Sequence, residues 1–256
     1  MAPRLEIITL LLNWVQFLLI PAVVLRIWAA GIQRTYPFFT AYLIVDFGQL
    51  LVLSNIPYSS RAYGYAYVFS EMLVVTLYVL VVLELYSKVL SPLSGVASLA
   101  QRYAGGAICM AALVSIGLLY FEPAGSNLVA QFLVFERVMI FSLVLFILSL
   151  VGFLTYFPVA LSRNVIVYTS GYAVFFLAKA VSFFGRNTHV LGDALVDQIH
   201  IAVNDLCLLF WTVYLNRAGE STRMTIGHRT NPGDEQRVMR QLNAINRTLA
   251  RLPRQK

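Results

Sequence analysis

Charge is what this 256-residue chain has least of: Asp, Glu, Lys and Arg make up 12% of it, while 59% is hydrophobic. Soluble domains carry about a quarter charged residues, roughly twice this share. A soluble fold of this length has no means of hiding so much apolar surface, so a bilayer is the expected solvent. Cysteine is also scarce. Cys109 and Cys207 each sit in an apolar run, which excludes a disulfide framework and a cysteine metal knuckle. No zincin His-Glu-x-x-His, phosphate loop, dinucleotide fingerprint or nucleophile motif occurs, so an enzyme is disfavoured and no cofactor is expected. An intramembrane acid–base enzyme built on Glu71 and His200 stays open.

What is present is a set of long apolar segments, at about 7–30, 38–56, 65–86, 103–121, 129–157, 165–185 and 195–215. Each approaches the ~20 residues that a helix needs to cross ~30 Å of hydrocarbon. The expected fold is all-α, a polytopic seven-helix transmembrane bundle over 1–216. A basic tail over 217–256 carries a short amphipathic helix at about 234–252. The first segment follows six residues and has no small-residue cleavage site, so a retained helix is expected.

The formal net charge of +7 is unevenly spread: 1–216 hold ten Lys/Arg against nine Asp/Glu, and 217–256 hold nine against three. Arg26, Arg34, Lys88, Arg102 and Arg163 lie at the odd-numbered connections, with the tail; Arg4, Arg61 and Arg186 lie opposite. The positive-inside rule then places the amino terminus outside and the carboxyl terminus in the cytoplasm of a multi-pass cell-membrane protein. Tyr58, Tyr63, Tyr65 and Tyr67 read as an interfacial aromatic belt, and Ala107, Ala111 and Ser115 as a small-residue packing stripe. Val238, Leu242, Ile245, Leu249 and Leu252 form an apolar seam among arginines. That pattern suits a helix lying on anionic inner-leaflet lipid, with a homodimer seam or a cytoplasmic signalling partner as alternatives and nucleic acid disfavoured.

Ionisable groups inside spans cost at least ~2.5–3.5 kcal/mol unless paired or wet, and so point to function. Glu71, Lys179 and His200 fall at five or six residues from their outer helix ends, roughly 8–9 Å deep at ~1.5 Å per residue. Glu136 and Arg137 lie near the same boundary, about 100° apart on their helix, so each needs a partner elsewhere. Polar stripes recur at helical spacing: Thr9, Asn13 and Gln16; Tyr42, Asp46 and Gln49; Tyr67, Glu71 and Tyr78; Tyr168, Tyr172, Lys179 and Ser182; Asp197, His200 and Asn204.

These stripes predict an outward-facing cavity using Tyr67, Glu71, Glu136, Arg137, Tyr172, Lys179 and His200. Asp46, Gln49, Asn204 and Asp205 form a mid-membrane polar group, with Asp46 and Asp205 a candidate pair or ion site. A bland alternative stands beside this: Glu136-Arg137 marks where a helix leaves the bilayer, and Lys179 snorkels to headgroups. His189, Asp193, Asp197 and His200 share an ~80° arc that suits a divalent metal. Gly192 argues against a continuous helix there, and Asp193 serves equally as an N-cap.

Two receptor families with seven helices are disfavoured by their motifs. The place of the G-protein-coupled receptor Asp-Arg-Tyr reads Glu84-Leu85-Tyr86, and Asn204-Asp205 is followed by no proline. Retinal proteins need a lysine in the seventh helix, whereas Lys179 is in the sixth. Tyr65-Ala66-Tyr67 with Glu71, Glu84-Leu85-Tyr86 and Glu136-Arg137 resemble short seven-helix membrane proteins of bacterial genomes. That resemblance implies a bacterial inner membrane and brings no established activity. The function expected is a membrane-embedded sensor or ligand-binding module; the alternative is a small transporter or ion/proton conduit using Asp46, Asp205 and Lys179.

Overall fold

Six long helices dominate the described residues of the computed structural model, which are 2–91, 106, 110, 113, 117, 128–156, 159–188, 192–225, 240 and 244. They are α1 (Ala2–Ala30), α2 (Pro37–Ser54), α3 (Arg61–Leu90), α4 (Leu128–Tyr156), α5 (Arg163–Thr188) and α6 (Asp193–Tyr214). A short α7 (Arg217–Ser221) follows, and β1 (Ala160–Ser162) pairs antiparallel with β2 (Arg223–Thr225). The protein is thus essentially all-helical. Five of the helices, α1 to α5, are long and apolar enough to cross a membrane. α6 has 22 residues but carries Asp193, Asp197 and Asp205, and is not among those five. The expected fourth segment and tail helix lie outside the described residues, except that Gly106, Met110, Leu113, Gly117, Arg240 and Ala244 are helical.

Local chemistry sets the helix ends. α1 closes on Gly31, whose φ of 69° suits a residue without a Cβ. Gly31 N–H bonds Trp28 O and Ile32 N–H bonds Ile27 O, the paired capping bonds that satisfy a helix's last carbonyls. Pro37 opens α2 at a position whose N–H has no helical partner to lose. Ser60 caps α3 by accepting from Tyr63 N–H at 3.1 Å. α6 is capped at Gly192, one residue before the expected Asp193, so the glycine precedes the helix and does not interrupt it.

Each long helix buries one face and leaves another bare. On α4 the buried positions Phe132, Glu136, Met139, Leu143, Ile147, Leu150 and Leu154 step by three and four, and Ile140 and Val144 widen this stripe. Their backs are apolar yet exposed: Leu18, Phe69 and Leu145 are 69%, 79% and 69% exposed. An apolar perimeter around a packed interior is what lipid, not water, accommodates.

α2 and α3 are antiparallel, joining through Gln49–Glu71 at one end and Phe38 N–Glu84 at the other. α3 and α4 are parallel, since Tyr67 meets Phe132 and Tyr86 meets Phe146 and Ser149. α5 runs against both, and α1 packs beside α6 with Thr9 near Gln198 and Arg26 near Leu215. Aromatic rings fill the middle: Phe39, Tyr42, Tyr78, Tyr168, Tyr172, Phe176 and Trp211 are 0–3% exposed. Trp211 lies flat against Gly171, where a Cβ would come within 2.3 Å of its indole nitrogen.

At the end where α2 begins, the chain beyond α6 returns to the bundle. Asn164, fully buried, donates to Asn216 O at 2.8 Å and to Glu220 Oε2 at 3.0 Å. Tyr36 donates its hydroxyl to the same Glu220 oxygen at 3.0 Å. Burial first, and the Glu220 carboxylate second, hold the Tyr36 phenol well above the usual tyrosine range. The tail's first nine residues are therefore part of the folded unit.

Candidate functional site

Lys179 anchors the opposite end. It sits on α5 between two carboxylates from different helices: Glu71 Oε1 of α3 at 3.0 Å and Glu136 Oε1 of α4 at 2.8 Å. Nζ also lies 3.5 Å from Tyr78 Oη and 4.8 Å from the centre of that ring. Glu71 uses its other oxygen to accept from Gln49 Nε2 at 2.8 Å, which ties in α2. Three helices thus meet at one ammonium, and α2 is tied in through Glu71. Such a group is stable away from water only when nearly every polar atom is paired.

Above this knot is a cavity of about 190 Å³ walled by Tyr67, Glu71, Glu136, Lys179, Ser182, Phe183, Arg186 and His200. Helical spacing explains the α5 contribution: Lys179, Ser182 and Arg186 stand at i, i+3 and i+7, one face over two turns. Arg186 is paired with Asp197 of α6, and this pair closes one side. Two buried atoms of this wall have no hydrogen-bond partner among the described residues, Glu136 Oε2 and His200 Nδ1. Unpaired buried polar atoms are expensive, and a cavity beside them is where a bound water or ligand would supply the missing partner. The volume suits several waters or one small polar solute.

The sequence-predicted residues distribute as follows. Tyr67, Glu71, Glu136, Lys179 and His200 share the cavity wall. Arg137 does not line it: it points to another side of α4, half-buried. Tyr172 also lies elsewhere, deeper, packed between Tyr168, Phe176 and Trp211 in the aromatic layer. Asp46 and Gln49 border a second, adjoining cavity that shares Glu71 and Tyr67 with the first. Asn204 and Asp205 are buried on α6, and both Asp205 oxygens lack a partner among the described residues, Asp46 included.

Of the metal arc, His189 lies outside the described residues. Asp197 is taken by Arg186, and His200 faces the cavity. No group of three or more His, Cys, Asp or Glu is placed to hold a metal among the described residues. Arg186, expected as a charge of a connection, belongs to the cavity wall. Its place seven residues beyond Lys179 was the available signal.

Beneath the knot, among the described residues, aromatic rings close the packing. Tyr42, Tyr78, Phe175 and Phe176 pack ring to ring at 5.2–6.3 Å between centres directly below Lys179. The cavity therefore has a charged floor with an aromatic layer under it. No protein-family model matches the chain, and neither a curated protein nor a solved structure is found to be similar to it.

Proposed function

We propose that this is a seven-helix cell-membrane protein of the sensor or ligand-binding kind, whose polar cavity opens outward and takes a small solute rich in hydrogen-bond donors. One observation carries the reading: a lysine buried between carboxylates of two other helices, beneath a cavity whose wall keeps unpaired polar atoms. A solute donating to Glu136 Oε2 would couple α3, α4, α5 and α6 at one point. Seven crossings are supported by the parallel run of α3 and α4, which leaves Leu90 and Leu128 at opposite ends of the bundle. Orientation rests on the basic tail, taken to lie in the cytoplasm of a bacterial inner membrane against anionic lipid. The docked segment 217–225 ties α7 to α5 through Asn164 and pairs β2 with β1. It offers a route for output to the tail, a second copy or a cytoplasmic partner.

A conduit is the second reading, favoured by Glu71 standing in the walls of both cavities; the aromatic layer below Lys179 weighs against it. Ser182→Cys in a protein freed of Cys109 and Cys207 tests the first reading. An impermeant thiol reagent added outside should label it, and added inside should not. Labelling from the cytoplasmic side alone, or from neither, would overturn the proposal. Solute-driven flux or pH change in liposomes would favour the conduit.

A further inference from the structure

The second cavity has a different character and goes beyond the proposed solute site. It is a groove of about 710 Å³ between α1 and the α2–α3 hairpin, within the usual range for small-molecule sites. One wall is apolar, from Leu10, Trp14, Phe17 and Leu50. Trp14 and Leu10 at its rim are 59% and 58% exposed, on the surface that would face acyl chains, so the groove opens sideways and not only to water. α1 packs mainly on α6 and less on α2, which leaves this side parted.

The other wall is polar: Asn13, Gln16, Asp46, Gln49 and Glu71. Side-chain carbonyls and carboxylates facing hydrocarbon are costly without donors. Gln49 spends its amide on Glu71 and Ser70, at 2.8 and 3.1 Å. Asp46 lines the groove; its Oδ2 is enclosed without a hydrogen-bond partner among the described residues, and the Tyr42 hydroxyl stands beside the same carboxyl group. Acidic side chains also outnumber basic ones here. Lys179 stands against both Glu71 and Glu136, Arg186 is matched by Asp197, and Asp46 adds a third carboxylate.

We infer that this groove binds a single-chain amphiphile with a primary ammonium head. The ammonium stands against Asp46, and the alkyl chain lies along Trp14 and the adjoining leucines. A primary ammonium brings three N–H donors and no acceptor, so it satisfies Asp46 and the amide carbonyls of Asn13 and Gln16 together. A phosphate or carboxylate head would meet Asp46 and Glu71 as like charges. A quaternary ammonium would bring charge without donors.

The test uses the full chain in nanodiscs of uncharged-headgroup lipid, with terminally brominated dodecylammonium as probe and tryptophan fluorescence as readout. Saturable quenching is expected, lost in Trp14→Phe, because Trp14 lines the groove. Asp46→Asn should weaken binding about tenfold or more, as loss of a buried charge pair does, while Asp46→Glu retains it. Brominated dodecanol and the trimethylammonium analogue should each bind at least about tenfold more weakly. Quenching that rises linearly without saturation, equal binding of the alcohol or quaternary analogue, or an unaffected Asp46→Asn would each overturn the assignment. Labelling of Ser182→Cys does not read this groove, so the two proposals fail separately.

Discussion

Lys179→Met is the most informative single change, because it removes one cation and leaves two carboxylates facing each other. At 2.8 and 3.0 Å, each ion pair is worth about 5–6 kcal/mol of Coulomb attraction for an effective dielectric near 20. Desolvation of three charged groups offsets much of this. The net loss on deleting one partner of a buried pair is about 3–5 kcal/mol. The groups are well enclosed, with side-chain exposures of 11% for Lys179, 9% for Glu71 and 2% for Glu136, so screening by water takes little from that figure. Thermal unfolding in detergent, followed by tryptophan fluorescence, should show a clear fall in midpoint. Adding Glu71→Gln and Glu136→Gln to Lys179→Met should recover most of it, since an uncharged polar cluster avoids the stranded charges. A Lys179→Met protein as stable as the wild type, or a triple variant no better than the single, would refute a structural charge knot.

Three further outcomes follow from close contacts. Gly171→Ala places a Cβ 2.3 Å from the Trp211 indole nitrogen, and should cost about 1–3 kcal/mol by overpacking, relieved when Trp211 is also made smaller; equal loss in both backgrounds would count against that contact. Gly219→Ala sets a Cβ 2.2 Å from Asn164 Oδ1 and should lift the tail from the bundle, read as faster trypsin cleavage at Arg217 and Arg223; unchanged cleavage rates would show that the docking does not depend on it. Tyr36→Phe removes the bond to Glu220 and should cost about 1.5–3 kcal/mol, the range for a hydrogen bond to a charged group. Because the folded phenol titrates above the unfolded value near 10, its contribution is full below about pH 10 and declines as pH rises beyond it. The wild type should lose its advantage over Tyr36→Phe in that window, and a pH-independent difference would contradict the burial of the phenol.

The polar stripes were legible because helical spacing survives in any solvent. Lys179, Ser182 and Tyr168 were placed on one face of their helix, as were Glu71 and Tyr78 on theirs, from residue numbers alone. The choice between Glu136 and Arg137 was not legible. Both are ionisable neighbours in a run of apolar residues, and only the seam through Phe132, Met139, Leu143 and Ile147 shows that Glu136 faces in. Tyr172 shares the Lys179 stripe yet ends in the aromatic layer, because two turns of helix separate it from the cavity by about 10 Å. Asp46 and Asp205 matched in estimated depth, but depth says nothing about which helices are neighbours.

Composition alone determined that the chain is helical and suited to lipid, since apolar runs of this length leave no other way to satisfy the backbone. Spacing alone determined which positions on each helix share a face. Which faces meet was decided only in three dimensions. The packing of α3, α4 and α5 brings Glu71, Glu136 and Lys179, more than a hundred residues apart at the extremes, within hydrogen-bonding distance. Helix order and rotation depend on the sum of many small side-chain contacts, and no single residue carries that information.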